Sequence, residues 1–144
     1  NATAYYYVVT AVNAGGESVE SQQVSTTPMT PPPGAPTDVT AIATPETTKS
    51  VTLSWSPVTP SNPVHTVTYN VYRSDVSGID PTNASTYDDK FSGVTSPFVN
   101  TVPLGQTPYY YVVTAVEDGV EGPASAEVSG PYTLYCSSAF WVRW

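Results

Sequence analysis

Residues 51–57, "VTLSWSP", alternate, with Val51, Leu53 and Trp55 on one face and Thr52, Ser54 and Ser56 on the other. A period of two with β-branched and aromatic side chains on one side predicts a half-buried strand. "TVTYNVYRS" repeats the pattern with Val67, Tyr69, Val71 and Arg73 on one face and Thr68, Asn70, Tyr72 and Ser74 on the other. "YYYVVTAV", residues 109–116, places Tyr109, Tyr111, Val113 and Ala115 together, and its second face is also fairly apolar. "TDVTAIATP" alternates through Val39, Ala41 and Ala43 or through Thr40, Ile42 and Thr44, and the pattern alone does not choose. "ASAEVSG" reads as a weaker, more polar strand after a Gly-rich turn. No stretch carries apolar residues at helical spacing for several turns, so the expectation is an all-β chain, a sandwich or a barrel.

Two breaks divide these strands. "TTPMTPPPGAPT", residues 26–37, carries five prolines. Proline denies the donors a central strand needs, so a stiff, extended linker is expected over residues 28–36. Residues 74–97 are long and turn-rich, with room for one or two irregular edge strands. The chain also repeats itself: the eight residues 5–12, "YYYVVTAV", are identical to residues 109–116.

Trp55 in "VTLSWSP", then "YNVYRS", then "LGQTPYYYVVTAVEDGVEGPAS" together resemble a fibronectin type III domain, over about residues 35–131. The resemblance implies a seven-stranded antiparallel sandwich of immunoglobulin type, with a complete domain at residues 37–131 and Trp55 in its core. It assigns Leu104, Tyr109, Tyr111, Val113, Ala115 and Gly119 to the last two long strands, with Ser125 near the expected serine. Tyr109 takes the place of the tyrosine whose hydroxyl ties back to the backbone near Leu104. The expected core is Trp55, Tyr69, Val71, Leu104, Tyr109, Tyr111, Val113 and Ala115. Residues 1–27 resemble the last two strands of a preceding repeat, 104 positions earlier. Two strands alone are marginal in water. Either the earlier strands of that repeat belong to sequence upstream of residue 1, or Tyr5, Tyr7, Val9 and Ala11 are donated to another chain, which is the expectation taken here. The aromatic segment 132–144, with Trp141 and Trp144, is either a final strand of this chain or part of that acceptor.

Composition narrows the chemistry. The net charge is −8, and the only basic residues, Lys49, Arg73, Lys90 and Arg143, are scattered. Nucleic acid and anionic membrane surfaces are thus poor partners. No apolar run is long enough to span a bilayer. No signal peptide is visible and the chain does not begin with Met, so a mature or cut product is expected. His65 stands as the only histidine and Cys136 as the only cysteine, which leaves no catalytic triad, zinc site or internal disulfide. Cys136 reads as buried in its apolar segment or as pairing between molecules. Asp75, Asp80, Asp88 and Asp89 crowd the long loop but match no calcium-loop spacing. The expectation is no catalytic residue, no metal and no cofactor. Asn1 and Asn83 stand in Asn-x-Ser/Thr triplets and are candidate glycosylation sites.

These features point to a non-catalytic extracellular module, secreted or on a cell surface, in a fibre or filament built by strand exchange. Its expected partners are copies of itself or neighbouring type III repeats. A surface glycan is a further candidate, stacked on the faces of Tyr5, Tyr6, Tyr7 and Tyr110. The alternative is a spacer or accessory module of a secreted polysaccharide-degrading enzyme.

Overall fold

A computed structural model describes residues 3–43, 50–102 and 108–130. Asn1, Leu104 and residues 132–144, with Cys136, Trp141 and Trp144, lie outside the described residues. The chain divides into two compact units, Asn1–Pro31 and Pro32–Trp144.

The first unit is one long hairpin of short strands. Strand β1 (Tyr5–Tyr7) pairs antiparallel with β4 (Val24–Thr26), and β2 (Val12–Asn13) pairs with β3 (Gly16–Glu17) around the turn. No residue of these four strands is buried.

The second unit is a two-sheet antiparallel sandwich. Strands β5 (Thr37–Ala43), β6 (Ser50–Ser56) and β9 (Phe98–Thr101) form one sheet with β6 in the middle. The other sheet contains β7 (Val67–Ser74), β8 (Asp89–Val94), β10 (Tyr109–Glu117) and β11 (Val120–Ala124), in the order β11-β10-β7-β8. Strand β12 (Val128–Gly130) continues β11 along the same edge of β10. Ser125 sits at the break between them, donating its amide to the Val113 carbonyl at 2.8 Å while its hydroxyl accepts from the Val113 amide at 3.0 Å. With β11 and β12 counted as one interrupted strand, the sandwich has seven strands.

The core forms where the inward faces meet. Val51, Leu53 and Trp55 of β6 pack on Tyr69 and Val71 of β7 and on Tyr111, Val113 and Ala115 of β10. Trp55 meets Tyr69 edge-on, ring centroids 5.2 Å apart. Along β5 the face chosen is Val39 and Ala41, which pack against the core, while Ile42 is exposed. Tyr109 is only half-buried, and the Arg73 guanidinium lies 4.8 Å from its ring centre. Pairing explains why a cation tolerates the inward register of β7: Arg73 pairs with Asp89 and donates to Asn100 Oδ1 at 3.0 Å.

The loop from 75 to 88 contains one 3₁₀ turn, Ala84–Thr86, before β8 runs as the edge strand. Pro33 and Pro36, in the Pro-rich stretch, are buried. Changing Trp55 to Ala removes the largest indole-sized volume from this core and is expected to cost about 3–5 kcal/mol. Chemical denaturation of that variant with an unchanged midpoint would contradict this packing.

Candidate functional site

Three carboxylates near the last hairpin hold the sandwich's loops. Glu117, at the end of β10, has no exposed surface. Its two oxygens each lie 3.0 Å from the Ser61 amide, and Oε1 also accepts from the Ser61 hydroxyl at 2.8 Å. Nδ1 of His65 lies 3.0 Å from Glu117 Oε1 and 3.1 Å from Asp118 Oδ2. The Ser61 backbone hydrogen bond, with the hydroxyl and His65 behind it, holds the Glu117 carboxyl below the usual carboxylate range. Glu127, between β11 and β12, grips the loop after β7 in the same manner, accepting from Ser77 Oγ at 2.6 Å and from the amides of Gly78 and Ile79 at 2.8 and 3.0 Å.

Glu121 organises the outer face of the larger sheet. It accepts from Tyr72 Oη at 2.6 Å and from Thr114 Oγ1, and Lys90 Nζ lies 3.3 Å from its other oxygen. Burial pushes its carboxyl up, but the hydrogen bonds from Thr114, Tyr72 and Asn70 and the Lys90 charge outweigh that and hold it at about 2. Tyr87 caps Tyr72 edge-on at 4.8 Å.

The loop aspartates do not converge. Asp75 gives its backbone amide to Asp88 at 3.0 Å, Asp80 accepts from the Thr82 amide and hydroxyl at 2.9 and 2.7 Å, and Asp89 is taken by Arg73. Among the described residues no group of three His, Cys, Asp or Glu side chains is arranged to hold a metal. Asn83 is exposed and caps the 3₁₀ turn by accepting from the Ser85 amide at 3.1 Å. An open cleft of about 390 Å³ lies by Trp55, Val58, His65, Tyr69 and Ser96.

The first unit reproduces the strand register of the last hairpin of the second. Tyr5↔Thr26, Tyr6↔Ser25 and Tyr7↔Val24 correspond to Tyr109↔Gly130, Tyr110↔Ser129 and Tyr111↔Val128. Around the turns, Val12↔Glu17 and Asn13↔Gly16 correspond to Val116↔Glu121 and Glu117↔Val120. Ser21 donates its amide to the Val9 carbonyl at 2.9 Å and accepts from the Val9 amide at 3.0 Å, the part Ser125 plays at Val113. Thr10 donates to Glu17 as Thr114 donates to Glu121.

The surroundings separate the two copies. Strand β10 pairs with β7 from Tyr110↔Ser74 to Glu117↔Val67, whereas among the described residues no strand pairs with the equivalent edge of β1 and β2. The core face of β10 also packs on Val51, Leu53 and Trp55 of the facing sheet. Tyr111, Val113 and Ala115 are 0% exposed, and their counterparts Tyr7 and Val9 are 51% and 71% exposed, with Ala11 exposed as well. Tyr5 is 50% exposed. The four expected donor residues thus lie on a hairpin with an open edge and a wet apolar stripe.

The Glu121 pKa predicts an acid limb. Its folded value, about 2, lies below the ordinary 4.5, so its contribution to stability is complete above about pH 4.5 and is lost as pH falls toward 2. Glu121→Gln is expected to flatten the fall in melting temperature over that window, measured by circular dichroism. Equal slopes for parent and variant would contradict the assignment.

No family model matches the sequence, and no curated protein matches it. Among solved structures, the chain is similar to a Fn3-like protein from Clostridium thermocellum, with 33% identity and a TM-score of 0.54 over 70% of this chain and 94% of that one. It also matches the FN1-FN3 domains of chicken CNTN1, with 20% identity and a TM-score of 0.54. That alignment covers 89% of this chain and 42% of the other. A seven-stranded sandwich around Trp55, matched at that identity over nearly all of a Fn3-like relative, places this chain in the fibronectin type III family.

Proposed function

We propose that the protein is a non-catalytic, extracellular structural module, and that its first unit supplies the last two strands of a neighbouring type III sandwich. The observation that carries this reading is one eight-residue sequence in two settings: its core stripe is buried where β7 adjoins it and β6 faces it, and exposed where among the described residues no such strands do. Leaving a large apolar side chain in water forgoes about 1.5–3 kcal/mol. An acceptor sandwich with a strand resembling β7 at that edge and a sheet resembling β6 across from it would satisfy the open main-chain donors and acceptors and bury Tyr7, Val9 and Ala11. Main-chain pairing supplies affinity, and the alternation of side chains fixes register. Where the acceptor belongs to another subunit, the donated hairpin joins the two subunits. A spacer within a secreted polysaccharide-degrading enzyme is the other setting for such a module, and a catalytic domain in the same polypeptide would mark it.

Two outcomes are expected. The purified chain turns over no polysaccharide or peptide bond; turnover abolished by changing a single Asp or Glu would contradict the non-catalytic reading. Deleting residues 1–27 releases the module from the assembly isolated from its source, read as particle mass by light scattering. An assembly of undiminished mass would show that the hairpin is not the joint.

A further inference from the structure

The two hairpins differ where the resident one, residues 109–130, touches the rest of its sandwich. Asn13 and Ala14 stand in the places of Glu117 and Asp118, the two partners of His65. Asn13 cannot supply the charged, doubly accepting carboxylate that Ser61 uses. Gln23 stands for Glu127, so the grip on Ser77, Gly78 and Ile79 loses its charge. Ser18 stands for Gly122, where a Cβ would come 2.2 Å from the Pro33 carbonyl oxygen. Thr26 stands for Gly130, where a Cβ would come 3.1 Å from both methyls of Val51 and 3.3 Å from the Tyr111 ring. The core-facing Tyr7, Val9 and Ala11 and the outward Thr10 and Glu17 are unchanged from Tyr111, Val113, Ala115, Thr114 and Glu121.

We infer that the N-terminal hairpin is keyed to a foreign type III sandwich: it keeps the core face of the resident hairpin and lacks the contacts that fit this chain's own loops. This rests on the strand-donor reading above. The chemistry of the partner follows from these five of the nine replaced positions. It is a type III sandwich with the place of its last hairpin open and a strand like Val67–Ser74 at that opening. Its loop in the place of Ser61 and His65 requires no carboxylate, and neither does its loop in the place of Ser77–Ile79. It leaves room at the position of Val51 for a threonine methyl and at the position of Pro33 for a serine side chain. A second copy of this chain fails on each count, and two hairpins sharing one core stripe can coexist without displacing each other.

Exchanging the keys tests this in the full chain. One variant gives the N-terminal hairpin the resident contacts (N13E, A14D, S18G, Q23E, T26G). A second adds the reverse changes to the resident hairpin (E117N, D118A, G122S, E127Q, G130T). Amide hydrogen exchange is read at residues 5–12 and 109–116. The unchanged chain is expected to protect only 109–116, the first variant to divide protection between the two segments, and the second to transfer it to 5–12. Protection of 5–12 in the unchanged chain at the expense of 109–116 would overturn the inference. So would undiminished protection of 109–116 in the second variant. If the second variant does not fold, the first decides: shared protection supports keying and unshared protection overturns it. An assembly that survives loss of residues 1–27 would remove the strand-donor reading while leaving these exchange results standing, so the two failures are distinguishable.

Discussion

The pairing of β10 with β7 is the contact on which the sandwich depends. That ladder places Tyr111, Val113 and Ala115 over the partner sheet, where Val51, Leu53 and Trp55 close on them. The first unit acts as the internal control. It has the same stripe, the same serine bridge and the same hairpin register, yet its stripe is wet. Local sequence is therefore enough to draw the hairpin but not to bury it. Burial is a property of the neighbour, as expected when sheet stability comes from packing on adjacent strands rather than from intrinsic propensity.

Much of this was legible in the sequence, because a strand with one buried face carries its orientation in a period of two. Val51, Leu53 and Trp55 read as one face and form one face. Strand β5 was ambiguous because both of its faces carry small or β-branched residues, and only packing selects Val39 and Ala41 over Ile42. The outward face of β10 is less legible still. Val112 and Thr114 are buried, and nearby Tyr72, Tyr87, Lys90 and Glu121 form a cluster on residues far apart in the chain.

The loop grips escaped sequence reading for the same reason. Glu117 looks like an ordinary acidic residue at a strand end, and its partners Ser61 and His65 lie more than fifty residues away. The available signal was internal: among the positions at which the two hairpins differ, Asn13 replaces Glu117 and Gln23 replaces Glu127. Differences between the two copies at such positions mark where each copy meets something the other does not. His65, which as the only histidine offered no constellation in the sequence, is drawn to the Glu117 and Asp118 carboxylates.

The central claim is that Tyr7 and Tyr111 occupy equivalent places on the same hairpin and differ in whether a sandwich covers them. Tyrosine nitration mapped by mass spectrometry compares the two in one polypeptide, first in the free chain and then in the assembly from its source. In the free chain Tyr7 should react and Tyr111 should not. In the assembly Tyr7 should fall to the level of Tyr111. A Tyr7 that reacts as readily in the assembly as in the free chain would contradict the account.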